Sequence, residues 1–378
     1  MKKKSPAHKK IRIGIVGTGG MANVHATEFL KIPGVELAAV CDLDAKRAAD
    51  FSAKHGGSAV VFTDFKKLLS EGGVDAISNV TPDSLHAPLS LQAIASGKHI
   101  LCEKPLATNH ADALRMARAA KKAGVINMVN FSYRNSSALQ KAAQLVRDRE
   151  LGEIVHVEAS YLQSWLSSQI WGNWKTTPAW LWRLSSKHGS KGVLGDVGVH
   201  ILDFASLPVG PIRSIQARLK TFTKLKGKRM GEYPLDANDS ALMQVEYANG
   251  ALGVIHTTRW ATGHANSLFL RVHGTEGALQ LDLDKSYNEL EVCLGEDIHK
   301  AKWTTLKAPP TPNIYERFIT AIQTGKQGEP DFARGAEIQK ALDACFESDR
   351  IGQAVKLKLP GSDVPARTRV RKPANAVP

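Results

Sequence analysis

The patterned part of the chain begins with Ile11-Arg12-Ile13-Gly14-Ile15-Val16-Gly17-Thr18-Gly19-Gly20-Met21-Ala22, an apolar run that breaks into glycines and passes at once into a helical pattern. Strand, G-x-G-x-x-A turn and helix in direct succession make a cradle for a pyrophosphate. Gly17 permits the tight turn, Gly19 lets the backbone approach the phosphates, and Ala22 keeps helix and strand close, with Gly20 and Met21 between them. The helix N-terminus then presents unpaired N–H groups and a favourable dipole. The next apolar run, Val35–Cys41, ends at Asp42, 23 residues after Gly19. A carboxylate there accepts hydrogen bonds from a ribose diol and repels a 2′-phosphate, so the sequence predicts NAD rather than NADP. Arg47 close behind argues the other way.

Outward from that turn, strands are expected at Ile11–Val16, Val35–Cys41, Ala76–Val80, His99–Cys102 and Val125–Val129. Helices are expected near Met21–Lys31, Asp44–His55, His86–Ser96 and Asn109–Ala123. Short apolar strands separated by helices need crossover connections, hence a parallel sheet covered on both faces. After Leu151-Gly152-Glu153 the pattern changes. A long strand, Ile154–Gln163, leads into a tryptophan-dense loop over residues 164–191 and a helix near Gly192–Leu207. Extended runs follow at Ile212–Lys220, Ser240–Tyr247, Ala251–Trp260, Asn266–Gly274 and Gly277–Asp282, and two helices, about Asn313–Thr324 and Ala333–Ile351, close the chain. Strands joined by short turns predict an open, mostly antiparallel sheet. The expected division is a basic tail (1–10), a dinucleotide-binding domain (11–130), a second α/β domain (131–355) whose last helices return to the first, and a basic tail (356–378).

Composition narrows the classes further. The 378 residues exceed one ordinary domain of about 150 residues, and no apolar run reaches the roughly 18 residues of a membrane span. Four scattered cysteines, Cys41, Cys102, Cys293 and Cys345, form no CxxC and no disulfide framework. No apolar stretch follows the charged N-terminus, so a secretory signal is not expected, and a reduced cytoplasmic enzyme is the leading class. The net charge of +14 is concentrated at the ends: six basic residues lie in 1–12, and six more against one acid in 356–378. That pattern reads as solvated tails, and no nucleic-acid partner is expected.

A second group of candidates follows later strands. Thr81, Pro82, Leu85 and His86 come after one, Glu103, Lys104 and Pro105 after the next, at the carboxyl ends that line the crevice of a parallel sheet. On the helix near Gly192–Leu207, Asp196 and His200 stand four apart on one face, with Asp203 beyond. A carboxylate-supported His accepts a hydroxyl proton near neutral pH. No Cys/His cluster completes a metal shell, so no metal is expected.

Gly17-x-Gly-x-x-Ala, Thr81-Pro82 with His86, Glu103-Lys104-Pro105 and Gly195-Asp196-Val197-Gly198-Val199-His200 occur in the order seen in one family. Over roughly residues 11–355 the chain resembles the Gfo/Idh/MocA oxidoreductases, the group of glucose–fructose oxidoreductase and inositol dehydrogenase. The resemblance implies an N-terminal Rossmann domain and a C-terminal α/β domain with an open sheet, through which homodimers or homotetramers form. It also implies NAD(P)-dependent oxidation or reduction of sugars, cyclitols or related polyols. Thr81, Pro82, Leu85, His86, Glu103 and Lys104 would then join the glycine turn in holding the cofactor.

Alcohol oxidation needs a base for the O–H proton, a cation near the developing alkoxide and a C–H aimed at the nicotinamide. His200 is the expected base, Lys104 the cation and proton-relay partner, and Asp196 the group that orients the substrate hydroxyl or the imidazole. Tyr161, Gln163 and Trp165 alternate along a strand and project to one face. The resemblance places polyol-binding side chains near Tyr161 and Gln163, although the residue types differ. Tyr133, Arg134 and His264 are further candidates. Five of seven tryptophans lie between Trp165 and Trp182, as a sugar-binding lid or as an interface and core anchor. His25 reads as packing, and Cys102 has no identifiable base. A competing function on the same fold is an NAD-retaining glycoside hydrolase or isomerase that oxidises a sugar carbon transiently. A non-catalytic NAD-binding protein is a third reading, disfavoured by Lys104, Asp196 and His200 together.

Overall fold

The structure, a computed structural model, describes residues 10–358, without the side chains of residues 178 and 179. Nearly all of both basic tails therefore lies outside the described residues. No described helix is long and apolar enough to cross a membrane.

The N-terminal domain alternates strand and helix: β1 (Ile11–Val16), α1 (Gly20–Leu30), β2 (Val35–Cys41), α2 (Ala45–Lys54), β3 (Val60–Phe62), α3 (Phe65–Glu71), β4 (Ala76–Asn79), α4 (Asp83–Ala95), β5 (His99–Cys102), α5 (His110–Ala123) and β6 (Asn127–Val129). All six strands run parallel in the order β3-β2-β1-β4-β5-β6. The order reverses between β1 and β4, and Val16 ends opposite Cys41 on one side and Asn79 on the other. The crevice of the sheet therefore opens where Gly17, Asp42 and Thr81 emerge. Helix starts follow local chemistry. Asp44 accepts from the Arg47 N–H, Asp64 from those of Lys66 and Lys67, and Asn109 from that of Asp112.

Two elements here escape a pattern reading, the edge strand β3 and the seven-residue α3. Val60 and Val61 are exposed at the sheet edge, so the three-residue strand carries no buried apolar signature. Helix α4 begins at Asp83, three residues before the expected His86, because Pro82 sets its entry.

After α6 (Ser137–Arg147) comes the second domain, built on β7 (Ile154–Gln163). The tryptophan-rich stretch holds one helical turn, α7 (Pro178–Leu181), and leads through a π-helical turn at Leu194–Gly198 into α8 (Val199–Val209). The remaining strands are β8 (Ile212–Lys220), the small ladder β9 (Arg229–Met230) and β10 (Tyr233–Pro234), β11 (Ser240–Tyr247), β12 (Leu252–Thr258), β13 (Asn266–Gly274), β14 (Gly277–Asp282), β15 (Glu289–Leu294), β16 (Thr304–Lys307) and, after α9 (Ile314–Thr324) and α10 (Phe332–Ile351), β17 (Val355–Lys356).

Nine of these strands form one open sheet, β16-β15-β14-β13-β7-β12-β11-β8-β17. It is antiparallel except at its centre, where β7 and β12 run parallel. One face packs against α6, α8 and α10, burying Val157, Ala159, Ile255, Met243 and Leu270. Helix α9 inserts Ile314, Tyr315 and Phe318 into the cluster of β1, β2 and α1, and α10 packs along α5, so the closing helices join the two domains.

Candidate active site

At the first turn the glycines have different work. Gly17 has φ +83°, and a Cβ there would stand 2.7 Å from the Val80 carbonyl oxygen, so the turn requires glycine. At Gly19 and Gly20 a Cβ would meet no atom within 4 Å. That space lies over the start of α1, whose N-cap Gly19 supplies no side chain to the free N–H groups. Ala22 is fully buried against the sheet. The turn therefore fits the pyrophosphate of a dinucleotide.

Asp42 closes one end of this cradle. Its carboxylate accepts from the Thr18 N–H and hydroxyl, both at 2.9 Å, from the Asp44 N–H at 3.1 Å, and from Arg47 Nε at 3.1 Å. Burial opposes its ionisation, but the Arg47 and Thr18 bonds outweigh that and hold it well below the ordinary carboxylate range. Arg47, expected to compete with Asp42, is instead its ion-pair partner.

Glu103 and Lys104 leave β5 towards the same crevice. Glu103 is buried and committed inward: Oε1 accepts from Asn130 Nδ2 at 2.6 Å and lies 2.8 Å from His25 Nε2, and Oε2 accepts from the Lys104 N–H at 3.0 Å. His25 completes the set through Ser78 Oγ at 2.7 Å. Burial works against the Glu103 charge, yet His25, Lys104 and Asn130 bring its carboxyl down to about 2. Glu103, expected to hold cofactor, thus braces the backbone of Lys104, and His25 is a partner in that brace rather than packing alone. Asn130 carried no sequence signal beyond following a strand.

Lys104 reaches across the domains. Its Nζ donates to the Asp196 carbonyl oxygen at 2.8 Å and lies 3.4 Å from Asp196 Oδ1. The other oxygen of Asp196 accepts from Arg259 Nη2 at 3.0 Å, and Arg183 Nε stands 3.7 Å away. Burial resists the charge on Asp196, but Lys104, Arg259 and Arg183 hold its carboxyl far below the usual range. Arg259 escaped the sequence reading because a single Arg after a strand resembles solvent-facing punctuation. Here its side chain has no exposed surface, and its guanidinium lies 4.9 Å from the Trp165 ring.

His200 faces the same cleft but not Asp196. It makes no hydrogen bond among the described residues. Nδ1 is buried without a partner, which leaves Nε2 as the nitrogen a hydroxyl can reach. Burial, then Lys104, pushes the imidazole down to about 3. The Asp–His support expected from the i,i+4 spacing is thus absent: the carboxylate turns to three cations instead. Asp203 stands apart too, in a buried cluster where Arg134 donates to both its oxygens at 2.7 Å and Arg334 to one at 2.8 Å. Arg134 is consumed there and does not reach the cleft.

The far wall is a ring of mutual hydrogen bonds. Tyr133 and Tyr161 hydroxyls lie 2.5 Å apart, Tyr161 donates to Asn266 Oδ1 at 2.6 Å, and Asn266 Nδ2 donates to Tyr133 at 2.7 Å. Gln163 Nε2 joins at 2.9 Å from Asn266 Oδ1, and Trp165 Nε1 donates to Gln163 Oε1 at 3.1 Å. Burial raises Tyr161 well above its ordinary value and Tyr133 to about 12, so both phenols stay protonated. The Tyr133 ring lies edge-on to His200 with centroids 4.9 Å apart.

Met21, Glu103, Lys104, Asn130, Tyr133, Tyr161, Gln163, Trp165, Asp196 and His200 line this one cleft of about 280 Å³, and Thr81, Pro82 and His86 line the adjoining groove with Lys104. Two expected residues, His264 and Leu85, do not line the cleft or the groove. His264 pairs with Ser267 at 3.0 Å in the turn after β12, whereas Asn266 stands behind the wall, bonded to Tyr133, Tyr161 and Gln163. Leu85 is exposed on α4. His86 lines the groove and is also held with its nitrogens 2.7 and 2.9 Å from the carbonyls of Pro105 and Thr81, so it ties two loops together. Trp165 and Trp174 are buried in one local cluster with Trp171 and Trp180 packed against it, and Trp165, Trp171 and Trp180 also line the cleft. All four cysteines are buried and free, and no group that could hold a metal occurs among the described residues.

A parallel sheet with a dinucleotide cradle, joined to an open-sheet domain across a cleft that brings Lys104 together with Asp196 and His200, defines a two-domain oxidoreductase. Residues 11–131 match the oxidoreductase family with an NAD-binding Rossmann fold, and residues 139–280 match the GFO/IDH/MocA C-terminal domain. The chain belongs to the Gfo/Idh/MocA family of NAD-binding oxidoreductases. Levoglucosan dehydrogenase of Pseudarthrobacter phenanthrenivorans is 26% identical over 90% of this chain and 96% of its own length. D-glucoside 3-dehydrogenase of Escherichia coli is 28% identical over 92% of this chain and 97% of its own. Among solved structures, an oxidoreductase domain protein from Kribbella flavida superposes with a TM-score of 0.83 at 32% identity, covering 93% of this chain and all of that one. Levoglucosan dehydrogenase in complex with NADH and levoglucosan gives 0.83 at 25% identity, covering 92% and 99%.

Proposed function

We propose that the protein oxidises a ring CH–OH of a sugar, cyclitol or related polyol with NAD, and reduces the ketone in the reverse direction. The observation that carries this reading is the meeting of Lys104 Nζ, 2.8 Å from the Asp196 carbonyl oxygen, with the imidazole of His200, which has no hydrogen-bond partner among the described residues, in one cleft beside the glycine turn. The names of the relatives, two of them sugar dehydrogenases, support the substrate class.

NAD, held by the turn at Gly17–Ala22 and by Asp42, supplies the hydride acceptor. With Nδ1 protonated, His200 offers its Nε2 lone pair to the substrate hydroxyl and takes its proton as the carbonyl forms. Lys104 places positive charge on the oxygen as it loses that proton, and Asp196 fixes the ammonium. Asp196 acts through Lys104 rather than through the imidazole. Tyr133 and the Tyr161–Asn266–Gln163 ring bound the polyol on the opposite side. Asp42 disfavours a 2′-phosphate, which supports NAD over NADP.

Leu242, Leu252 and Val254 project from the outer face of the nine-stranded sheet at 59%, 60% and 40% exposure, which supports a homodimer or homotetramer through that face. The free, buried cysteines fit a reducing cytoplasm. The test is nicotinamide absorbance with purified protein, NAD or NADP, and a panel of monosaccharides, glycosides, anhydrosugars and inositols. Accumulating NADH is the expected result. Glycoside cleavage by protein whose bound nicotinamide never accumulates as NADH would replace this reading with the transient-oxidation hydrolase.

A further inference from the structure

The cleft has an outer half that alcohol oxidation itself does not require. Beyond Gln163 its wall is indole: the Trp165 and Trp180 ring centroids are 5.3 Å apart, and Trp180 and Trp171 are 6.2 Å apart with planes inclined by only 17°. All three line the same cleft as Lys104 and His200. Burial decreases along this tier. Trp165 is buried, Trp180 and Trp171 are half-buried, and the neighbouring Ile170 is 56% exposed. The cleft therefore opens outward along the tryptophans.

The tier is braced from behind. Trp165 is hydrogen-bonded to Gln163, Arg259 lies 4.9 Å from its ring, and Arg183 lies 5.2 Å from the ring of Trp180. Core packing accounts for Trp174 and for much of Trp165, and Trp171 and Trp180 pack against the same cluster on one side. Packing does not account for the indole surface that both leave open at the mouth of a polyol site, where apolar surface left in water costs about 25 cal/mol per Å². A fixed aromatic wall of this kind suits a ring that presents a flat C–H or π face. Arg183 already faces Asp196 as well as two indoles, so the outer wall offers stacking surface more than charge.

We propose that the preferred substrates are two-ring glycosides, with the ring to be oxidised at Lys104 and His200 and the second ring, a sugar or an aryl aglycone, against Trp171 and Trp180. The proposal rests on the dehydrogenase reading and names its substrate class.

The test compares kcat/KM for NAD reduction by free monosaccharides with that for their methyl, phenyl and disaccharide glycosides in both anomers, using wild type, Trp171→Ala and Trp171→Phe. Wild type is expected to favour at least one two-ring glycoside over its methyl counterpart by tenfold or more. Trp171→Ala should reduce that ratio at least fivefold, and Trp171→Phe should restore most of it. Equal kcat/KM for methyl and two-ring glycosides, or a ratio that Trp171→Ala leaves intact, overturns the proposal while the dehydrogenase reading stands. If no sugar reduces NAD, tryptophan fluorescence titration of the NADH complex with the same panel decides the matter separately. Tighter binding of a two-ring glycoside, weakened in Trp171→Ala, upholds the outer subsite, and indifference to the second ring overturns it.

Discussion

Arg259 and Asp196 form the hinge of the site: a guanidinium with no exposed surface donates to Asp196 Oδ2 at 3.0 Å, while Lys104 Nζ holds the carbonyl of the same residue at 2.8 Å. Asp196 is thus clamped between a buried guanidinium and the Lys104 ammonium, the proposed catalytic cation. Arg259→Met removes a charge-assisted hydrogen bond and a stacking partner of Trp165. We expect a stability loss of about 2 kcal/mol and at least a tenfold fall in kcat/KM, with NADH affinity unchanged. Arg259→Lys should recover part of both. Urea denaturation, NADH fluorescence titration and steady-state kinetics read the three effects. Full activity in Arg259→Met would remove Arg259 from the account.

His200 gives a pH signature. Its imidazole is lowered to about 3 by burial and by Lys104, against 6.5 in an unfolded chain. It therefore stays in its basic form across the ordinary assay range, and kcat/KM should show no fall with a midpoint near 6.5 as pH is lowered from 8 to 5.5. A fall with that midpoint, absent when NADH binding alone is followed, would contradict the assignment.

The same depression acts on stability. Below 6.5 the unfolded state binds a proton that the folded state refuses, so His200 lowers stability progressively as pH falls towards 3. Between pH 7 and 5 this amounts to at most about 2 kcal/mol. His200→Asn should lose correspondingly less stability over that interval than wild type, measured by urea midpoints at the two pH values. Parallel losses in the two proteins would show that His200 is not the depressed group.

Gly17 and Gly19 should separate folding from cofactor binding. Gly17→Ala forces a Cβ to 2.7 Å from a backbone oxygen at φ +83°, and we expect it to cost a few kcal/mol. Gly19→Ala has φ −74° and no atom within 4 Å. It should leave the thermal midpoint within about 2 °C yet weaken NADH binding tenfold or more by filling the phosphate space. Unimpaired NADH binding in Gly19→Ala would place the pyrophosphate elsewhere.

Asp42 should govern the choice of cofactor. Asp42→Ala removes the ribose acceptor and releases Arg47 from its ion pair. NAD affinity is expected to fall at least tenfold, and the preference for NAD over NADP to shrink or reverse. Unchanged NAD affinity would sink the assignment of Asp42 to the ribose.

The parts of this molecule legible in the sequence are those fixed by local chemistry. The Gly17 turn, the acid ending β2, and the helices capped by Asp44, Asn109 and Asn313 carry their causes within a few residues. What escaped depends on pairing across the chain. β15 and β16 close one edge of the large sheet with short, half-polar segments, and β3 owes its existence to β2. The site divides the same way. Lys104, Asp196 and His200 were visible as residue types on predicted elements, but the partner of Asp196 was not. Whether its carboxylate turns to an imidazole four residues away or to Arg259, 63 positions on, is decided by tertiary packing. Asn130 and Asn266 likewise become part of the site only through contacts with Glu103 and with two tyrosines.

The most direct test of the central claim is NADH accumulation by wild type, Lys104→Met and His200→Ala on the best substrate from the sugar panel, with NADH affinity measured in each. Turnover should fall by a factor of a hundred or more in both variants, with NADH binding retained and the fold intact by circular dichroism. Wild-type turnover in either variant would contradict the assignment of the hydroxyl proton to this pair.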